Sequence, residues 1–192
     1  MIAILKYNAG NIQSVSNALN RLGYENKVTD DHEEILSAEK VIIPGVGEAS
    51  SAMEYLRSRR LDKVITSLKQ PVLGICLGLQ LMCQCSDEGN TECLGIFKAK
   101  VKRFPPQDKV PHMGWNNFYS IKGDLFKGLN YNEDVYYVHS YYAEITSDTS
   151  AICDYILSFS AAMQNGRFYA TQFHPEKSAD TGVKILNNFL NL

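Results

Sequence analysis

The stretch Gly74-Ile75-Cys76-Leu77-Gly78, which follows the apolar run Pro71-Val72-Leu73, admits few backbone paths. Glycines two residues either side of a cysteine let a strand turn sharply into a helix, holding the cysteine strained and exposed at the strand's C-terminal end. That cysteine also faces a helix N-terminus, whose partial positive charge favours thiolate over thiol. With an imidazole beside it, an ordinary thiol pKa of ~8.5 falls by one or more units, each worth ~1.4 kcal/mol. His174-Pro175-Glu176, near the C-terminus, supplies candidate partners.

The surrounding pattern fits such a turn. Ile2 to Tyr7 reads as a buried strand, and Asn11 to Leu22 as a helix with Ile12, Val15, Ala18, Leu19 and Leu22 on one face, stopped by Gly23. Strands are predicted at Glu25 to Thr29, Lys40 to Pro44 and Val72 to Ile75. Helices are predicted through Met53, Leu56 and Arg57, over residues 61 to 68, and from Leu77 to Cys85. Strands alternating with helices call for a mostly parallel sheet covered on both faces, with sites gathered at the strands' carboxyl ends. Gly45-Val46-Gly47 and Cys76 both fall at such ends.

The second half predicts antiparallel additions to a mixed sheet, with strands at Ile96 to Phe104, Asn117 to Ile121, Val135 to His139, Ala151 to Phe159 and Phe168 to Phe173. Asn165-Gly166 is a hairpin signal between Ser160-Ala161-Ala162-Met163 and the run from Phe168. Asp180 to Leu190 closes as a helix with Val183, Leu186 and Phe189 or Leu190 inward, and Pro105-Pro106-Gln107-Asp108 is an exposed turn. The 192 residues, 45% of them hydrophobic, suit one domain spanning 1–192 with a sizeable core.

A balance of 19 basic against 21 acidic side chains argues against a protein built mainly to grip nucleic acid or anionic membrane. Lys98, Lys100, Lys102 and Arg103 read as one solvated strand face, because their spacing has period two. Residues 1 to 6 lack the basic lead and long apolar run of a signal peptide, and the apolar stretch around residues 71 to 83 is too short to span a bilayer. A cytoplasmic location is expected. Five irregularly spaced cysteines describe no disulfide framework, and a reducing compartment suits a working thiolate. Cys83, Cys85, Cys93 and Cys153 read as packing or surface thiols; a metal site on the first three would have no CxxC pair and no nearby histidine.

If Cys76, His174 and Glu176 meet, they form a nucleophile, a base and an orienting carboxylate suited to attack on an acyl carbon. His174 would take the thiol proton and return it to the leaving amine. The backbone N–H of Leu77 is placed to receive the negative oxygen, and a second donor could come from Gly45-Val46-Gly47; one such donor is worth ~3 kcal/mol. This chemistry needs no cofactor or metal. Singly, each motif has a plainer reading: the glycines and cysteine as a tight turn, His174 as a core histidine, Glu176 as a carboxylate at the start of a helix. His32 reads as exposed and inert, and His112 and His139 as possible contributors. A phosphate-binding module with an incidental cysteine leaves His174-Pro175-Glu176 unexplained, while a cysteine peptidase or esterase would use the same three residues.

Gly74 to Gln80 together with His174-Pro175-Glu176 resembles the class I, or triad, glutamine amidotransferases, which hydrolyse glutamine and pass ammonia to a synthase. Pro44-Gly45-Val46-Gly47, Pro111-His112-Met113-Gly114-Trp115-Asn116, Gly10-Asn11 and Val138-His139-Ser140-Tyr141 are similar to the branch serving imidazole glycerol phosphate synthases. The resemblance runs from Ile2 to the last helix. It implies a flavodoxin-like α/β fold, the triad Cys76, His174 and Glu176, and oxyanion donors at Leu77 and Val46, the latter after a backbone rearrangement. It also implies glutamine held near Gly47, Gln80, Ser140 and Tyr141. The branch works as a heterodimer with a (βα)8-barrel cyclase, which implies a docking face around Asn11, Trp115, Tyr136 and Lys177. Trp115, the only tryptophan, could instead be a core filler. A paralogue feeding another synthase, such as one for sugar amination, is the nearest alternative. Many members carry Asp-Tyr-Gly ahead of Gly-Asn, where this chain has Lys6-Tyr7-Asn8-Ala9, a departure that bears on docking and not on the triad.

Overall fold

The computed structural model describes residues 1–8 and 10–192; Ala9, in the departing N-terminal stretch, lies outside the described residues. The first half builds β1 (Ile2–Leu5), α1 (Ile12–Arg21), β2 (Asn26–Thr29), α2 (His32–Ser37), β3 (Lys40–Ile43), α3 (Ala49–Ser58), α4 (Leu61–Ser67), β4 (Val72–Ile75) and α5 (Leu77–Met82). Then come β5 (Cys85–Ser86), β6 (Thr91–Glu92), β7 (Lys100–Arg103), β8 (His112–Asn116), β9 (Ser120–Ile121), β10 (Val135–His139), β11 (Tyr141–Ala143), β12 (Thr149–Asp154), β13 (Ser158–Asn165), β14 (Phe168–Thr171) and α6 (Ala179–Leu190).

Eight strands form one sheet in the order β2-β1-β3-β4-β14-β13-β12-β9. The first five run parallel, and the last three are added antiparallel. The parallel core explains the unbroken apolar runs, because both faces are covered. In β1, Ala3 and Leu5 point toward α2 to α5, whereas Ile2 and Ile4 point toward α1 and α6. Val41 and Ile43 of β3 repeat the first set and Ile42 the second, as a period of two demands. A two-stranded ribbon of β8 and β10 and a small sheet in the order β11-β7-β5-β6 lie beyond the main sheet. No helix among the described residues is long and apolar enough to cross a membrane.

Several expectations need correction. Ala151 to Phe159 is two strands, because the chain reverses at Tyr155-Ile156-Leu157, while Asn165-Gly166 does join β13 to β14 as an antiparallel hairpin. The predicted strand from Ile96 shrinks to Lys100–Arg103, and the helix from Leu77 ends at Met82, where Cys83 turns extended. Only Ser120–Ile121 of the strand expected at Asn117 to Ile121 forms. Val183 faces solvent, while Leu186, Phe189 and Leu190 of α6 are buried as expected, together with Gly182 and Ile185. His32 is half-buried, with its Nε2 2.9 Å from the Arg59 carbonyl, and ties α2 to the end of α3. Trp115 is 55% exposed and fills no core. Lys98, Lys100, Lys102 and Arg103 are all exposed; Lys100 and Lys102 flank buried Val101 as a period of two predicts, whereas Arg103, one position on from Lys102, falls on the other face of β7. Cys83, Cys93 and Cys153 are buried and Cys85 half-buried, all as free thiols.

Candidate active site

The carboxyl ends of β1, β3, β4 and β14 meet at one place, and each delivers a piece of the site. At the end of β4 the chain turns through Cys76, whose φ of 53° and ψ of −102° are strained for a residue with a side chain. The turn needs its glycines. A Cβ on Gly78 would stand 2.1 Å from the Ile43 carbonyl oxygen, and one on Gly74 2.8 Å from the Gly78 backbone. The strain at Cys76 is held by its backbone N–H, which donates to the Thr171 carbonyl at 2.7 Å, and by α5, buried along its whole length.

β14 leads into His174 and Glu176. His174 Nδ1 lies 2.8 Å from Glu176 Oε1, and both side chains are sealed from solvent. The carboxylate therefore fixes the tautomer and leaves Nε2, which has no partner of ordinary geometry, for the thiol. Burial by itself lowers the basicity of His174, but hydrogen bonding and charge from Cys76 and Glu176 outweigh it and raise its pKa to about 10. The His174 backbone N–H donates to the Tyr136 carbonyl at 2.9 Å, and the Ser178 hydroxyl accepts from Tyr136 N–H at 2.9 Å, so the segment carrying His174 and Glu176 is clamped to the β8–β10 ribbon.

Asn11, expected on the docking face, also reaches inward. Half-buried and in a left-handed conformation that asparagine tolerates, it donates its side-chain amide inward to Glu176 Oε1. Trp115 and Tyr136 pair across the ribbon with ring centroids 5.9 Å apart, Trp115 and Met113 standing exposed. Lys177, next in sequence to Glu176, is exposed.

A cleft of about 300 Å³ opens over Cys76 and is walled by Val46, Gly47, Leu77, Gln80, Ser140 and Tyr141, the residues expected to take part in oxyanion or substrate binding. Glu88, Pro111, Val138 and His139 complete it. Glu88 carries no signal in the sequence, because it sits in a short helical turn with no motif around it. Its carboxylate caps α3 by accepting the Ala49 N–H at 2.8 Å, and burial raises its pKa. The Leu77 N–H, expected to face the oxyanion, is instead engaged by the Gly45 carbonyl at 3.3 Å. Val46 is held too, its carbonyl accepting from Gly10 N–H at 2.9 Å. Tyr7, kept protonated by burial and by the charge of Cys76, donates to the Pro44 carbonyl at the start of this loop.

His112 and His139 form a buried neutral pair behind the cleft. His139 Nδ1 donates to the Tyr141 carbonyl at 2.8 Å, so its Nε2 must accept from His112 Nδ1 at 3.0 Å. Burial holds their pKa values down, to about 3 for His139 and about 4 for His112. The rings of Tyr137 and Tyr155 stack on His112 with centroids at 4.7 and 4.1 Å.

The family model described as glutamine amidotransferase class-I matches residues 3–192. The chain is 56% identical over 194 aligned positions to "Imidazole glycerol phosphate synthase subunit HisH" of a Bacteroides fragilis strain, covering all of this chain and 99% of that one. It is 55% identical to the protein of that name from Bacteroides thetaiotaomicron, with the same coverage. Among solved structures, a putative GMP synthase component from Thermoplasma acidophilum shares the fold with a TM-score of 0.77 at 22% identity, over 100% of this chain and 92% of that one. PurLQS from Thermotoga maritima does so with a TM-score of 0.71 at 16% identity, over 99% and 97%. With a family model covering nearly its whole length and full-length relatives at this identity, the chain belongs to the class I glutamine amidotransferases.

Proposed function

We propose that this chain is the glutaminase subunit of an imidazole glycerol phosphate synthase, acting over residues 1–192 as one domain in the cytoplasm. The observation that carries the reading is the buried Cys76, His174 and Glu176 cluster beneath a cleft, in a chain whose full-length relatives bear the HisH name. Those names also disfavour a paralogue serving a different synthase.

Cys76 thiolate attacks the side-chain amide carbon of glutamine. Leu77 and Val46 N–H groups receive the resulting oxyanion once the Gly45–Gly47 loop turns and releases Leu77. His174 gives its proton to the departing nitrogen, ammonia leaves, and a thioester remains on Cys76. Water then gives a proton to His174 and attacks the thioester carbon; the thiolate leaves as glutamate forms. Glu176 holds the imidazole in register. Gly47, Gln80, Ser140 and Tyr141 line the substrate's path, and the Glu88 carboxylate suits the α-ammonium group of an amino acid.

Ammonia set free in neutral water is mostly protonated and no longer nucleophilic, so the product needs a dry passage to a second site. A (βα)8-barrel cyclase docked on the Trp115 and Tyr136 ribbon, near Asn11 and Lys177, would provide it and make imidazole glycerol phosphate and an aminoimidazole carboxamide ribotide. Support for this surface is the exposure of Trp115 and Met113 on β8, whose partner strand β10 holds the His174 backbone. Glutamate release by the purified chain, alone and mixed with the cyclase of the same genome and its nucleotide ligand, tests the proposal. Strong stimulation supports it. Glutaminase activity without stimulation points to another synthase.

A further inference from the structure

Gln172 stands two residues before His174, at the end of β14, with no solvent exposure. A fully buried amide must find partners for its polar atoms, and those partners fix which way this one faces. The Tyr141 carbonyl can only accept, so the Gln80 side-chain atom 3.1 Å from it is Nε2. The same nitrogen lies 3.1 Å from Gln172 Oε1 and donates its second hydrogen there. Gln172 Nε2 is thereby turned toward Cys76 Sγ, 3.6 Å away.

We propose that Gln172 is a catalytic residue of the glutaminase reaction, its side-chain N–H donating to the Cys76 sulfur and holding it as thiolate. The inference rests on Cys76 being the nucleophile. The Val138 carbonyl, 3.8 Å from Sγ, can only accept and so favours the thiol. The Gln172 amide is the contact that answers it. Among the described residues, the titratable groups that face Cys76 or share its cleft are His174, itself paired with Glu176, Tyr7, which stays protonated, His139, which burial keeps neutral, and the Glu88 carboxylate, whose pKa burial raises; Gln172→Met leaves all of them in place. A donor to sulfur serves the cycle twice. It raises the thiolate fraction before attack and receives the departing thiolate when water opens the thioester. A hydrogen bond to a charged group is worth about tenfold or more.

Iodoacetamide alkylation of Cys76 in the full-length chain reads this directly, because it needs no glutamine. Peptide mapping separates Cys76 from the other four thiols. Gln172→Met keeps the bulk and removes the donor. The expected result is an alkylation rate about tenfold lower near neutral pH, a rate profile moved to alkaline pH by about one unit, and convergence with wild type at the alkaline plateau. A role in packing alone would lower the plateau and leave the profile in place, and that result overturns the proposal. Gln172→Glu keeps the acceptor for Gln80 and sets a carboxylate against the sulfur, so it should move the profile further than Gln172→Met. A Glu variant that alkylates like wild type overturns the proposal as well. Should Gln172 behave as expected while the chain releases no glutamate from glutamine, the fault lies with the glutaminase reading and not with the thiolate donor.

Discussion

His174 Nδ1 sits 2.8 Å from Glu176 Oε1, with neither side chain exposed to solvent. An imidazole raised from ~6.5 when unfolded to about 10 when folded contributes stability that is complete below pH ~6.5 and is lost as pH rises through about 10. Glu176→Gln removes the carboxylate's share, so it should cost ~1.5–3 kcal/mol near pH 6 and progressively less toward alkaline pH. Denaturant titrations across that range check this, and a gap that widens with pH would contradict it. The same variant should lose less turnover than Cys76→Ala, because the nucleophile remains.

Gly78 packs against the Ile43 carbonyl so closely that a Cβ would lie 2.1 Å from it. Gly78→Ala must therefore push α5 off β3, at ~1–3 kcal/mol or more, and the melting temperature should fall by about 5 °C or more. An unchanged melting temperature would mean that α5 and β3 can part without cost, and that the turn at Cys76 is loose.

Tyr7 anchors the Pro44 carbonyl while the next residue, Gly45, occupies the Leu77 N–H. Tyr7→Phe removes that anchor and lowers the cost of turning the loop toward its oxyanion-binding form. Glutamate release without the cyclase should rise, up to about fivefold for a bond of ~1 kcal/mol. A fall at unchanged melting temperature would count against loop release as the limiting step.

Trp115 is 55% exposed and touches the ring of Tyr136. Trp115→Ala should leave the melting temperature of the isolated chain within about 2 °C of wild type and weaken cyclase binding about 30-fold, as loss of ~2 kcal/mol implies. Calorimetric titration measures the second quantity. Unchanged affinity would move the docking face elsewhere.

What could be read along the chain followed the range of the forces involved. The parallel strands announced themselves as apolar runs, α1 as a 3.6-residue period, and the turn at Cys76 as two glycines that nothing larger could replace. The reversal at Tyr155-Ile156-Leu157 was hidden because those residues are apolar and carry no turn signal. β5, β6 and β11 are two or three residues long, too short to show an alternation. For α2 a local signal existed: Asp31 accepts from the Glu34 N–H as an N-cap, but Ile35 is the only residue the helix buries. Gln172 had none, since its partners lie 92 and 96 positions away. The engagement of Leu77 by Gly45 likewise depends on how β3 and β4 meet, which no local pattern encodes.

Everything proposed for this chain depends on Cys76 acting as the nucleophile of a glutaminase that feeds ammonia to a second subunit. Synthesis by the reconstituted pair, measured once with glutamine and once with added ammonium, tests it most directly in the Cys76→Ala variant. Glutamine-dependent synthesis should be abolished while ammonium-dependent synthesis stays at the wild-type rate. Glutamine-dependent turnover that survives the substitution would contradict it.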